Sequence, residues 1–572
     1  MQVIRSREQF DVCVIGSGAG GGMAAKVLTE AGARVLMLEA GINWDPVKDS
    51  KMMQWNYSSP RRGASTVDRP LGEFLATNGG WTIEGEPYTS APGNQFDWFR
   101  SRMLGGRTNH WGRISLRFGP DDFQRKTLDG LGDDWPITYD DLKPYYDKID
   151  EYIGIFGSNE GFRNEPDGIF MPPPEPRCYE KLIQKSCTNL KIPCVPARMS
   201  IITKPLNGRA ACHFCGECAR GCAVHANFSS PSVLLPPAMK TGRLTIRTNA
   251  MAREITVGAD GLASGVLYVD KLTGSENHVP ARIVVLAASA CESARILLNS
   301  KSSKFPQGLA NSSGTVGRYL TDSTGVGVGA WIPKLMDQIP HNEDGIQGNH
   351  LYIPWWLDAK KDKLDFPRGY HVELGGGLRM PGAGFGGNIQ RYSGMHEGRE
   401  IGGYGAQLKN EYRRFYGSTV SLSGRGEMIP NADSYCEIDP NTVDRWGIPV
   451  LRFRFKFSDY EILQAKHMQE TFRAILTDMG GTVTGNMPSR EQNYGLATGG
   501  RIIHEIGVTR MGKDPQSSVL NGNGQAHDVK NVFVTDAGPF VTQPDKNPTW
   551  TILALAWRTS EFIAEQRKQG SL

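Results

Sequence analysis

The apolar run Phe10–Ile15 leads into Gly16-Ser-Gly18-Ala-Gly-Gly21 and then into a helical pattern from Met23 to Ala31. A strand of this composition is buried in a parallel sheet, and a glycine turn that delivers it straight into a helix leaves few folds open. Gly16 permits the turn, Gly18 lets a pyrophosphate approach the backbone, and Gly21 lets helix and strand pack closely. The helix N-terminus adds N–H donors and a positive dipole for phosphate. After Gly32 a second strand, Arg34 to Glu39, ends in an acid about twenty residues past the glycines, where a carboxylate can accept both ribose hydroxyls. This pattern predicts an α/β fold with a Rossmann-type dinucleotide-binding domain. It does not separate FAD from NAD.

Cys212, Cys215, Cys218 and Cys222 fall within eleven residues as C-x2-C-x2-C-x3-C. Thiolates at these spacings on a tight loop can converge on one iron–sulfur cubane, and Gly216 and Gly221 let the backbone bend around it. Ala223 follows the last cysteine and no second run exists, so Cys222 either completes a [4Fe-4S] cluster, the preferred reading, or leaves a [3Fe-4S] one. Structural zinc is an alternative, although it pairs C-x2-C knuckles across a longer insert than this one. Disulfides between cysteines this dense would be strained. The remaining cysteines are scattered and read as buried thiols.

A chain of 572 residues holds two or three domains, or one large domain with another inserted. The formal net charge of +4 gives no reason to expect nucleic acid. No apolar stretch reaches roughly eighteen residues, so no direct membrane span is expected. About nine residues precede the first strand, too few for a cleavable signal peptide, and export would rely on a partner that bears the leader.

Three C-terminal stretches, His504 to Gly512, Asn531 to Gly538 and Asn547-Pro-Thr549 to Ala556, resemble the closing segment of the glucose–methanol–choline (GMC) family of FAD oxidoreductases. Leu104-Gly105-Gly106-Arg-Thr-Asn109-His110-Trp111-Gly112 is similar to that family's flavin-covering loop, Ala288 to Leu297 to its strand-to-helix turn, and Val316 to Asp322 to the entry of its substrate domain. The resemblance implies FAD, contacted by Gly16, Gly18, Gly21, Glu39, Gly105, Gly106, Asn109, His110, Asp536 and Thr549. It also implies His504 as the catalytic base and Asn547 as its partner. Taking a hydride from an alcohol carbon requires the hydroxyl proton to leave, and an imidazole of near-neutral pKa can accept it while Asn547 orients the hydroxyl. The stretch around His110 is similar to one in pyranose oxidases whose histidine is covalently joined to flavin; here proximity rather than a bond is expected.

The resemblance further implies a catalytic subunit of the kind found in bacterial cluster-bearing sugar dehydrogenases. Its partners would be a small export-competent subunit and a cytochrome c, and its location the periplasm, with the cytoplasm as the alternative. The expected reaction is FAD-dependent oxidation of a secondary alcohol of a sugar or glycoside, glucoside 3-dehydrogenase-like, with single electrons leaving through the cluster. A pyranose-oxidase-like sugar oxidase using oxygen is the alternative, and a flavoprotein lyase or cluster-sensing module the second. By domain, residues 1–170, 240–322 and 492–572 are expected to form a discontinuous FAD-binding domain. Residues 171–239 would be a short iron–sulfur insertion, and residues 323–491 an inserted α+β substrate domain with an antiparallel sheet. The alternating runs Tyr370 to Leu374 and Val450 to Phe457 suit a sheet that roofs the flavin. Trp355, Trp356 and Tyr352 read as packing, and Arg391, Glu373 and Gln407 as candidate hydroxyl contacts.

Overall fold

The computed structural model describes residues 3–572 apart from 7, 53, 56–57, 64, 67–71, 73–74, 340–344, 359–362, 379–393, 397–398 and 402. Its centre is a parallel sheet in the order Leu244–Arg247, Val35–Leu38, Phe10–Ile15, Glu276–Leu286, Val532–Val534. Phe10–Ile15 lies in the middle, and Val12, Cys13 and Val14 are wholly buried, as the apolar run requires. The helices Ala19–Glu30 and Thr549–Lys568 pack against each other beside this sheet. Glu276–Leu286 is long because it serves two pairings: its last residues run parallel to Phe10–Ile15, while its first pair antiparallel with Ala263–Asp270, itself paired with Ala250–Val257.

A second sheet, antiparallel throughout, has the order Thr482–Val483, Thr324–Trp331, Thr419–Gly426, Tyr370–Gly375, Leu351–Ile353, Val195–Pro196. Alternation decides its two faces. Val326, Val328, Val372, Leu374, Val420 and Leu422 share a core with the helix Asp459–Asp478, each burial worth about 1.5–3 kcal/mol. His371, Glu373, Ser423 and Arg425 occupy the opposite face, and the bonds from His371 and Glu373 to Asp545 and Asn547 turn that face toward the nucleotide-binding domain.

Two expectations need correction. Pro449–Arg454 is not a roof strand; it pairs with Tyr435–Val443 and Thr89–Ser90 in a separate three-stranded sheet, where Phe453 stacks on Phe96 at 4.9 Å. A period of two reveals a half-buried strand and says nothing about which sheet it joins. The stretch 171–239 also divides. The helix Cys178–Asn189 buries Tyr179, Ile183 and Cys187 in the substrate-side core, and Val195–Pro196 edges that sheet, so only the later part forms the cysteine loop. Among the described residues no helix is long and apolar enough to cross a membrane.

Candidate active site

A cavity of about 360 Å³ runs from the glycine turn to the last helix, and three helix N-termini border it, at Gly18–Gly20, at Ser289–Ala290 and at Pro548–Thr549. Their unpaired N–H groups and dipoles favour electron-rich ligand atoms. The glycines divide the labour by contact. Gly16 has φ +103°, and a Cβ there would lie 2.2 Å from the Ala287 carbonyl oxygen; a Cβ on Gly21 would lie 2.0 Å from that of Gly16. Both positions are fixed by the protein's own packing. A Cβ on Gly18 would meet nothing within 4 Å, because Gly18 faces the cavity.

Glu39, at the end of Val35–Leu38, lines the same cavity, held by the Ser17 hydroxyl and by the Gly41 N–H at 2.7 Å. Burial pushes its carboxyl up, and these hydrogen bonds oppose that shift. The Ser17 oxygen also accepts the Gly105 N–H at 2.8 Å, which ties the turn to the Leu104 to Gly112 loop. In that loop Gly105 and Gly106 both have positive φ, at 88° and 51°. Gly106 and His110 line the cavity, whereas Asn109 turns its amide back to the Leu104 carbonyl at 2.8 Å and so shapes the loop. His110 stands 3.3 Å from Ser101 Oγ, its pKa lowered to about 3 by burial and by Arg113 and Arg107. Asp536, just past Val532–Val534, accepts from Ser293 and from the Gly538 N–H at 2.8 Å, and burial raises its pKa to about 6.

At the other end, His504 and Asn547 meet, with Nε2 and Nδ2 3.3 Å apart. His504 Nδ1 is 3.0 Å from Ser323 Oγ, which also accepts from Gln543 Nε2 at 3.1 Å. With the Asn547 amide as donor, this set assigns the proton to Nδ1 and makes Nε2 the acceptor nitrogen, its lone pair turned to the Asn547 amide. The His504 backbone N–H donates to Asp322 at 2.9 Å, and the Gly500 N–H to the same carboxylate at 2.7 Å. The near-neutral imidazole expected from sequence does not hold: burial, then the Arg425 charge, lowers the His504 pKa to about 3, against a smaller upward pull from Glu373. Burial and the Arg425 charge thus both favour the neutral imidazole. The Asn547 amide oxygen is buried without a partner and lies on the cavity wall.

The N-terminal GMC oxidoreductase profile matches residues 83–324 and its C-terminal counterpart residues 430–556. The chain belongs to the GMC oxidoreductase family. It is 29% identical to the 2-methyl-1,2-propanediol dehydrogenase of Mycolicibacterium austroafricanum, covering 98% of this chain and 96% of that one. It is 24% identical to the fructose dehydrogenase large subunit of Gluconobacter japonicus, covering 98% of each. The crystal structure of a pyridoxine 4-oxidase from Mesorbium loti shares the GMC fold at a TM-score of 0.62 and 18% identity, over 97% of this chain and 99% of that one. GMC membership makes FAD the cofactor and oxidation of an alcohol CH–OH the activity. The cavity fits FAD, since it joins an open glycine cradle and a buried acid at one end to a base at the other.

Sequence reasoning missed Ser17, Ser289, Ser323, Gln543 and Arg425 around this site. Single hydroxyls and amides carry no spacing signal, although Ser17 sits inside the glycine turn and Ser323 directly follows the Val316 to Asp322 stretch. Trp355 and Trp356 pack with Tyr370, at 5.1 and 5.8 Å, and Tyr352 donates to Glu165, in keeping with structural roles. Gln407 is exposed on the helix Gly405–Phe415, and Arg391 lies outside the described residues.

Cys212, Cys215, Cys218 and Cys222 all line one small pocket with Met52 and Asn227. Gly216 and Gly221 have φ of 72° and 93°, so the loop bends where the sequence suggests. Among the described residues no three His, Cys, Asp or Glu side chains come together closely enough to hold a metal ion. The iron–sulfur ligand set expected from the spacing is therefore not seen assembled among the described residues.

Proposed function

We propose that this GMC flavoprotein is the catalytic subunit of a dehydrogenase that oxidises a secondary alcohol of a sugar or glycoside, in the manner of a glucoside 3-dehydrogenase. The observation that carries this reading is the lone pair of His504 Nε2, held beside Asn547 in the cavity that also contains the glycine cradle. Bound FAD supplies the acceptor for two electrons and the carbon-bound hydrogen. His504 takes the hydroxyl proton, Nδ1–H is fixed by Ser323, and Asn547 holds the substrate oxygen by its amide so that the C–H bond is aimed inward. The buried walls at this end of the cavity limit water around the base, which keeps it neutral until substrate arrives.

The four cysteines are the residues that would hold a [4Fe-4S] cluster, or a [3Fe-4S] cluster if Cys222 does not bind. The chemistry such a cluster supplies is one-electron transfer to a protein acceptor, for which we propose a cytochrome c. The shared pocket supports this assignment. A small export-competent partner and a periplasmic location belong to the same proposal, supported by the large-subunit designation of the fructose relative.

Anaerobic purification followed by iron and labile-sulfide analysis tests the cofactor half: iron with matching sulfide is expected, and zinc without sulfide would contradict it. Replacing Cys215 or Cys218 with serine should leave flavin reduction by substrate largely intact and slow cytochrome reduction. Screening sugars and glycosides with an artificial dye acceptor tests the reaction. Rapid hydrogen peroxide formation in air, without dye reduction, would favour an oxidase instead.

A further inference from the structure

The face of the antiparallel sheet turned toward His504 is built in rows. Tyr352, Glu373, Ser423 and Gly327 pair across four strands as one row; His371, Arg425 and Gly325 form the row on one side, and Gly375, Ser421 and Gly329 that on the other. Interior strands of a covered sheet bury both faces, yet Gly327 and Ser421 are exposed, and a Cβ on Gly327 would meet nothing within 4 Å. Gly327 and Ser421 thus leave a trough, whereas Ile502 covers Gly325, and Glu373 and Arg425 stand beside it with side chains still 18% and 19% exposed.

Glu373 is wired to the base. One carboxylate oxygen takes Arg425 Nη2 at 3.0 Å; the other is 3.3 Å from Asn547 Nδ2, which in turn is 3.3 Å from His504 Nε2. His371 Nδ1 donates to the Asp545 carbonyl, and its Nε2 lies 3.5 Å from the Glu373 carboxylate. The Asn547 amide oxygen, on a residue only 8% exposed, is a buried acceptor with no hydrogen-bond partner. Arg425 and Asn547 already donate to Glu373, and a carboxylate with about four lone-pair sites has room for a further donor. Unpaired buried acceptors are costly, which is the condition under which a site selects a ligand that brings the missing hydrogen.

Resting on the alcohol-oxidation reading above, we propose that Glu373 determines specificity. Its carboxylate accepts the hydrogen bond of a hydroxyl on the carbon next to the one oxidised, so the site selects 1,2-diols and polyols over simple alcohols. Arg425 keeps the carboxylate ionised and fixed, and the open surface at Gly327 and Ser421 gives the rest of a polyol room. Asn547 then serves both hydroxyls, one through its amide hydrogens and the other by its oxygen.

The test uses the FAD-loaded protein and substrate pairs that differ by one neighbouring hydroxyl, butane-2,3-diol with butan-2-ol and methyl glucoside with its 2-deoxy form. Anaerobic flavin reduction gives kcat/KM for each. In the native protein the vicinal diol of each pair should be preferred. Glu373→Gln should lower its kcat/KM about 10- to 100-fold more than that of its partner, mainly through KM. Equal losses for both members of a pair would show that Glu373 only positions Asn547, and would overturn the proposal. No preference in the native protein would overturn it too, while leaving the alcohol-oxidation reading intact; no reduction by any of these alcohols would overturn both. If Glu373→Gln fails to retain FAD, Ser423→Leu, which fills the trough beside the carboxylate, must shift the same ratio, and an unchanged ratio there is a refutation.

Discussion

Replacing His504 with alanine is expected to slow flavin reduction by substrate about 10²- to 10⁴-fold while FAD content stays near that of the native protein. In the proposed reaction the imidazole acts through Nε2, while the far end of the cavity is lined by other residues, the glycine turn and Glu39. The pH dependence gives a second signature. A base whose pKa is lowered is ready over a wider range, so with the His504 value moved from about 6.5 to about 3 the rate should stay flat from about pH 5 to 8. An ascending limb near pH 6.5 would mean that water reaches the ring. The same shift also fixes the sign for stability: the unfolded chain binds a proton at His504 below about pH 6.5 and the folded one does not. This residue therefore weakens the fold as pH falls through that window, with the loss complete near pH 3. Asn547→Ala should cost less than His504→Ala, because an orienting hydrogen bond is a smaller contribution than a proton acceptor.

Gly16→Ala should strongly destabilise the folded protein, whereas Gly18→Ala should fold normally and bind its cofactor more weakly. At Gly16 the methyl group would sit 2.2 Å from the Ala287 carbonyl oxygen, on a backbone with φ +103° that alanine adopts only with strain. Neither neighbour can retreat, since Ala287 directly follows Glu276–Leu286 in the centre of the parallel sheet. At Gly18 φ is −66° and the methyl group meets nothing within 4 Å, so the empty fold has no objection to it. The methyl would instead occupy the approach of the FAD pyrophosphate, an overpacking of about 1–3 kcal/mol, or about 10- to 100-fold in affinity. Thermal unfolding of the cofactor-free forms, with FAD titration of each, separates the two: a cofactor-free Gly18→Ala protein as unstable as Gly16→Ala would show that the turn is fixed by packing alone.

The legible parts of this chain are those where one residue type answers one physical demand. Gly16 and Gly21 are required by backbone contacts under 2.5 Å, and such glycines stand out in sequence because nothing else can replace them. The apolar runs Phe10–Ile15 and Val35–Leu38 are continuous because both faces of the central sheet are covered. The illegible parts depend on long-range pairing. Pro449–Arg454 reads like Tyr370–Gly375, but its partners are Tyr435–Val443 and Thr89–Ser90, the latter more than three hundred residues away. The helix Cys178–Asn189 looks like part of the cysteine insertion until its apolar side is seen against Asp459–Asp478. The imidazole pKa is the clearest case at the site itself. Residue type sets the ordinary value, whereas burial and Arg425, contributed by the strand Thr419–Gly426, set the value in the fold.

The central claim is that His504 removes the hydroxyl proton of an alcohol whose hydrogen is delivered to FAD in the cavity shared with Gly18. Anaerobic stopped-flow absorbance of the FAD-loaded protein mixed with a sugar or vicinal diol tests it most directly. The native protein should bleach its flavin absorbance in a fast phase that saturates with substrate, and His504→Ala, at equal FAD content, should slow that phase at least about 10²-fold. Bleaching at the native rate in His504→Ala, or a fully FAD-loaded native protein that no alcohol bleaches, would contradict it.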